Sequence, residues 1–374
     1  MPSPPPPTTP LVPEFRPWRP PADPDKPPCP YRTGFTVDIK SHVPPAPFGG
    51  RDYGRGPRGT VSQHDLRSLK QTELVMANPP LETADPPILH IHTLSVTCDL
   101  AVVDGRGAQL VLCTIKPKAP AGHPPVQVVA KIYDPLYYSF SHKDIPSVPC
   151  DVTRFVDEDY SREAAAYEHL QAVGQAGSFA PKYLGSWTFT AALQMGKTTP
   201  MQSRPVRLIL MEYVPGKTIR DLCAGSAPAV AMFGEAYRLE VLARILDAEA
   251  KLRFKGIDQQ DLAARNVILH APPNPQGQTS AQPNTIPRVV LIDYNISVVY
   301  SKTIHKIGPY DGTTLPPNPM RIHWSNSLQE FRGWIPGAWE TNPRLRQEWL
   351  QKRFGGDNLA GYAPLKQELK FSEY

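Results

Sequence analysis

Regular alternation of apolar and polar positions begins near Pro87. Leu89 and Ile91 alternate with His90 and His92, which predicts a half-buried strand. Residues 110–115 (LVLCTI) follow the turn at 104–107 (DGRG), and residues 126–132 (VQVVAKI) make a third apolar run. Short connections carrying Gly or Pro between such runs predict an antiparallel meander. Residues 161–170 (SREAAAYEHL) are alanine-rich and helix-prone. Another buried strand is expected at 208–214 (LILMEYV), ended by Pro215 and Gly216. The strongest helix pattern runs from Glu235 to Phe254, where Val241, Leu242, Ile245, Leu246 and Leu252 share one stripe. Residues 266–269 and 289–292 read as a short strand pair joined by a Pro-, Gln- and Asn-rich surface loop at 271–287, and 342–353 as a final helix. No internal repeat is visible.

Composition changes the picture at the N-terminus. Of 46 prolines in 374 residues, 17 lie in the first 50, where each removes a backbone donor and disfavours a helix interior. Residues 1–75 are therefore expected to be a disordered proline-rich tail. Within it Pro4–Pro7 offers a polyproline ligand for an aromatic groove, against the plainer role of a spacer. A net charge of +5, with no dense basic run, gives no footprint for nucleic acid. The five cysteines are scattered and form no CxxC pair, which points to reduced thiols in an intracellular, cytoplasmic or nuclear protein. No run of 18 apolar residues suggests a membrane span. His90 and His92 would share a strand face, yet no third ligand stands near them in the sequence, which argues against a metal there.

Five polar residues fall in an order that suits phosphoryl transfer from a nucleotide. Lys131 ends the run VAK, Glu163 lies on the following helix, Asp261 and Asn266 bracket the string DLAARN, and Asp293 ends the buried run LID. Such chemistry needs a lysine for the phosphates and a carboxylate to hold that lysine. It also needs an Asp to orient the acceptor hydroxyl, and an Asn and a second Asp for Mg²⁺. Taken singly, each has a plain structural role as an edge charge, a surface helix residue or a strand cap. Only the ordered set points to phosphoryl transfer.

With these residues the sequence resembles the protein-kinase family from about Pro87 to the mid-300s, and in particular the kinase-like proteins with degenerate motifs found in filamentous fungi. The resemblance implies an α+β, bilobal protein-kinase-like fold: a disordered tail over 1–75, a small antiparallel-sheet N-lobe with its hinge over 76–214, and a shortened, mainly helical C-lobe over 215–374. It implies ATP and Mg²⁺ as cofactors. By the same resemblance Lys131, Glu163 and Asp261 are catalytic, and Asn266 and Asp293 hold the metal. Gly105 and Gly107 are the remnant of a phosphate-binding loop. Met211 is the gatekeeper, and the backbones of Glu212 and Val214 face adenine.

The departures from the family pattern are specific. Ala108, Gln109 and Leu110 stand where a third glycine belongs. Gln259 and Gln260 precede Asp261, so the arginine that would bind a phosphorylated activation loop is missing, and gating of that type is not expected. Asp293, Tyr294 and Asn295 replace the DFG triplet, with Asn295 suited to left-handed backbone. No Ala-Pro-Glu follows, and only 81 residues remain after Asp293, with Trp334 and Trp339 as anchors for the last helices. Three functions stay open. The first is a phosphotransferase moving the ATP γ-phosphate to a protein Ser or Thr hydroxyl, with Tyr second. The others are a pseudokinase serving as a nucleotide-binding or scaffold module for an unknown protein partner, and a small-molecule kinase of the aminoglycoside- or choline-kinase type.

Overall fold

A computed structural model describes residues 18–118, 124–142, 145–225, 229–270 and 288–372; the Pro4–Pro7 segment and the loop at 271–287 lie outside them. Chain order begins with strand β1 (Thr36–Ser41) and two short helices, α1 (Gln63–Ser68) and α2 (Gln71–Ala77). Strands β2 (Ile91–Ala101), β3 (Gln109–Pro117) and β4 (Val126–Tyr133) then form the expected meander, followed by helix α3 (Val152–Ala172) and strands β5 (Tyr183–Leu193) and β6 (Gln202–Glu212). All six strands pair antiparallel in the closed order β1-β2-β3-β4-β6-β5, with β1 also bonded to β5. Residues 206–211 of β6 are buried without interruption, as expected of a strand covered on both faces. One cover is α3, which packs on β4, β5 and β6. That helix starts nine residues before the alanine-rich segment because the Asp151 side chain caps it, accepting from the Arg154 amide.

The expected fold class is overturned here. A closed six-stranded barrel replaces the small sheet, and the remainder of the chain has mixed strand and helix content, so the bilobal sheet-over-helix kinase architecture does not describe this molecule. The strand that closes the barrel comes from the segment expected to be a disordered tail. Thr36 pairs with Ser95 on one side of β1, and Ser41 pairs with Trp187 on the other. Proline density hid a short proline-free stretch whose partners lie far along the chain. The same segment is anchored elsewhere too. Tyr31 is fully buried and donates to Asp134 Oδ2 at 2.5 Å, while Arg204 grips both oxygens of that carboxylate at 2.6 and 2.8 Å.

Beyond the barrel, β7 (Lys217–Thr218), α4 (Ile219–Ala224), α5 (Ala229–Met232) and α6 (Glu235–Phe254) follow, with α6 at the span its apolar stripe predicts. Strand β8 (Ile257–Asp258) pairs with β11 (Val298–Val299), and β9 (Val267–His270) with β10 (Arg288–Leu291), the latter being the predicted strand pair. Helices α7 (Pro319–His323), α8 (Ala338–Thr341) and α9 (Pro343–Phe354) complete the chain. Trp334 and Trp339 are buried as anchors, and the Trp334 indole donates to the Arg238 carbonyl of α6 at 2.9 Å. His92 packs on Trp187 at 4.6 Å between ring centroids. Every cysteine is a free thiol. Among the described residues no helix is long and apolar enough to cross a membrane.

Candidate active site

Strand β4 delivers Lys131 to the barrel wall, and α3 delivers Glu163 beside it. Lys131 Nζ lies 2.5 Å from Glu163 Oε2 and 2.6 Å from Asp293 Oδ1. Glu163 is fully buried and its other contacts are spoken for: Tyr133 donates to Oε2 at 2.7 Å, and the Tyr294 amide to Oε1 at 3.3 Å. Burial alone would lower the lysine pKa, but Asp293 and Glu163 together raise it, so the ammonium stays charged. Lys131 holds the Asp293 carboxyl below its ordinary range, against burial. Glu163 shifts upward because burial outweighs the attraction of the lysine. Asp293 adopts left-handed backbone, φ +65°, and not Asn295 as the sequence suggested. Asp tolerates that region better than most residues, and such an outlier marks a held geometry.

The second half of the site hangs from the turn between β8 and β9. Asn266 Nδ2 donates to Asp261 Oδ2 at 2.7 Å, while Arg265 binds Asp261 Oδ1 at 2.5 Å. Gln259 ties this group to the first. Its side chain accepts from the Asp261 amide at 3.1 Å and donates to the carbonyls of Ile292 and Asp293 at 3.0 and 3.1 Å. Between them Gln260 takes φ +62°, an unusual conformation for a long side chain and one that turns the backbone sharply into Asp261.

A cavity of about 710 Å³ joins these parts, lined by Lys131, Glu163, Asn266 and Asp293 with Val129, Met211, Val214 and Ile268 as apolar walls. Its size and mixture of apolar walls with a few convergent polar groups suit a nucleotide. Met211 sits in β6 opposite Val129 of β4. The Glu212 amide is committed to the Lys182 carbonyl at 2.9 Å, so Glu212 can offer a base only its own carbonyl. Its side chain is held away by Arg288 at 2.8 Å. Of the two glycines, Gly107 lines the cavity beside Arg106 and Ala108, whereas Gly105 is not part of the lining and bonds the Tyr137 carbonyl at 3.0 Å. Buried Gln109 pins this hairpin, donating to Gly107 O at 2.7 Å and Val103 O at 3.1 Å. Asp261 itself opens on a second cavity of about 480 Å³, bordered by Tyr310, Arg321 and Glu330.

Several residues at the site have no signal in the motif pattern. Arg106 is one of them, and Asp159 is the most unusual. It lies one helical turn before Glu163 and lines the same cavity. Although part of its surface opens into that cavity, burial pushes the carboxyl up to about 7, against the opposing pull of Lys131 and of a hydrogen bond from Asn295. An Asp whose folded pKa exceeds its unfolded value lowers stability as pH rises between the two. Asp159→Asn is therefore expected to gain melting temperature over the wild type by little near pH 4, by more up to about pH 7, and by a constant amount above. A gain independent of pH in thermal melts would show that Asp159 ionises normally.

For Mg²⁺ the available donors are the right kind. Asn266 uses its amide hydrogens on Asp261 and keeps Oδ1, and Asp293 uses Oδ1 on Lys131 and keeps Oδ2. Both are hard oxygens, and Mg²⁺ commonly takes one or two protein ligands with water and phosphate completing its shell. Among the described residues no group of three His, Cys, Asp or Glu side chains forms a metal cage, which such a shared site does not require. Compared with protein-family models and with curated proteins, the sequence matches none.

Proposed function

We propose that the chain is a Mg·ATP-dependent phosphotransferase that moves the γ-phosphate to a protein Ser or Thr hydroxyl. The observation that supports this most is the contact of Lys131 with both Glu163 and Asp293, at 2.5 and 2.6 Å, in the wall of a nucleotide-sized cavity that Asn266 also lines. On this reading Lys131 meets phosphate oxygens and Glu163 keeps it extended. Asn266 and Asp293 would hold Mg²⁺, which would supply charge neutralisation for the transferred group. Asp261 orients the acceptor hydroxyl and takes its proton as the new oxygen–phosphorus bond forms and the bond from the γ-phosphorus to the bridging oxygen breaks, with ADP as the leaving group. The string DLAARN and the run MEYV at 211–214 favour a protein acceptor over a small molecule. Reduced thiols and the supply of ATP favour an intracellular setting.

A second reading, nucleotide binding without transfer, draws on one observation. Arg265 and Asn266 occupy one oxygen each of the Asp261 carboxylate, at 2.5 and 2.7 Å, so a hydroxyl has to displace or share those bonds.

Titration with ATP, monitored by melting temperature with Mg²⁺ and with a chelator, tests the shared premise. Binding at a hundredfold excess over Kd stabilises by about 2.7 kcal/mol, and the shift is expected to depend on Mg²⁺. No shift under either condition would reject both readings. Transfer of labelled γ-phosphate to a mixed peptide library then separates enzyme from binding module.

A further inference from the structure

The segment 48–58 (FGGRDYGRGPR) joins the two elements that carry Glu163 and Asp293. Phe48, 1 % exposed, begins it, and the Gly49 amide closes a tight loop on the Gly54 carbonyl at 2.7 Å. Gly49 has φ +79°, a backbone conformation that favours glycine, and a Cβ there would come within 2.2 Å of the Glu158 carboxyl on α3 and push that side chain aside. The helix answers with its own side chains. Arg162 donates to the Phe48 carbonyl at 2.8 Å, and Arg154 to the carbonyls of Arg55 and Arg58 at 2.9 and 3.2 Å. Arg58 returns to Asp157 of α3 at 2.6 Å.

The opposite side of the loop holds the chain that follows Asp293. The buried Tyr53 hydroxyl donates to the Ser297 carbonyl at 3.1 Å and accepts from the Val299 amide at 2.6 Å. One residue earlier, the Asp52 carbonyl accepts from the Ile304 amide at 2.9 Å. The loop also borders a cavity of about 510 Å³ that reaches Gln260, the residue preceding Asp261.

We propose that residues 48–58 form a built-in clamp, with Tyr53 as its positioning residue, that keeps α3 and the 293–304 segment in the register where Lys131 can hold Glu163 and Asp293 together. The inference rests on the nucleotide reading of that site for its functional meaning. The clamp is part of the same chain and needs no modification of the 293–304 segment to form. None of its residues lines the 710 Å³ cavity, and it acts through the placement of Asp293.

Tyr53→Phe keeps the ring and removes both hydrogen bonds. Tyr362→Phe, which removes a phenol bond to Asp247 of 2.8 Å away from the site, is the matched control. Two quantities are measured on the full chain: amide exchange across 293–304, and Kd for Mg·ATP. Loss of these two bonds, with the equivalent of one ordinary hydrogen bond transmitted to the site, is expected to speed Val299 exchange and raise Kd about fivefold in Tyr53→Phe, with both unchanged in Tyr362→Phe. Wild-type exchange in Tyr53→Phe would overturn the clamp, as would equal losses in the two variants. A wild-type protein that ignores Mg·ATP would instead remove the nucleotide reading, and the exchange comparison would then decide the clamp alone.

Discussion

Lys131→Met is expected to abolish the Mg·ATP melting shift and to destabilise the nucleotide-free protein. Methionine nearly matches lysine in volume, so the loss comes from charge and not from a cavity. Glu163, with a side chain 1 % exposed, would be left buried opposite Asp293 with no cation between them. Removing one partner of a buried ion pair costs about 3–5 kcal/mol. The figure applies mainly to Glu163, because the Asp293 side chain is 39 % exposed and solvent screens it. Without the ammonium the Glu163 carboxyl, already raised by burial, rises further. Its contribution is then retained below the unfolded carboxyl range and lost as pH climbs through the new value. Urea unfolding of variant and wild type should accordingly differ more at pH 8 than at pH 5. A variant that keeps a wild-type nucleotide shift would remove Lys131 from the site.

Asp261→Asn separates chemistry from binding. General-base assistance contributes roughly 10²- to 10⁴-fold to rate, so phosphate transfer to a peptide acceptor should fall by that order while the Kd for Mg·ATP stays within a few-fold. Some stability is expected to go as well. The carboxylate serves Arg265 with one oxygen and Asn266 with the other, and an amide has a single oxygen to offer both. One lost hydrogen bond of this kind costs about 1 kcal/mol. The measurement is a pair of assays on the same preparation, single-turnover transfer and nucleotide titration. Transfer at the wild-type rate would mean that Asp261 orients nothing and that another group takes the proton.

The two expected results rest on residues that the chain announces openly, and the reasons are local. The lysine of the run VAK and the strings DLAARN and LID keep their spacing whatever surrounds them. Helix α6 was legible because Val241, Leu242, Ile245 and Leu246 repeat at helical spacing within one element. Helix α9 begins at Pro343 and ends at Phe354, close to its sequence-based span, since Asn342 caps it and proline opens it. Strand β1 was not legible, because its six residues acquire meaning only from β2 and β5. Strand β5 was missed for a related reason: glycine and small residues dilute its alternation, and its structure comes from pairing with β6. Closure of the barrel was illegible for the same reason, because β1 and β5 complete it. Asp159 and Tyr53 were invisible for another cause. Neither belongs to a spaced motif, and each acts through contacts with residues distant along the chain, such as Tyr53 with Val299.

That barrel also dictates an order of events during synthesis. Strand β1 leaves the ribosome first, but the residues that flank it, such as Ser95 and Trp187, are translated long afterwards. Until β5 has emerged, β1 has at most one neighbour and the cylinder stays open along a seam. Pairings so remote delay folding, because loop closure must precede the gain from contact. The prolines around β1 suit that wait, since they cannot join helices or add rungs to a stray sheet while the nascent chain grows.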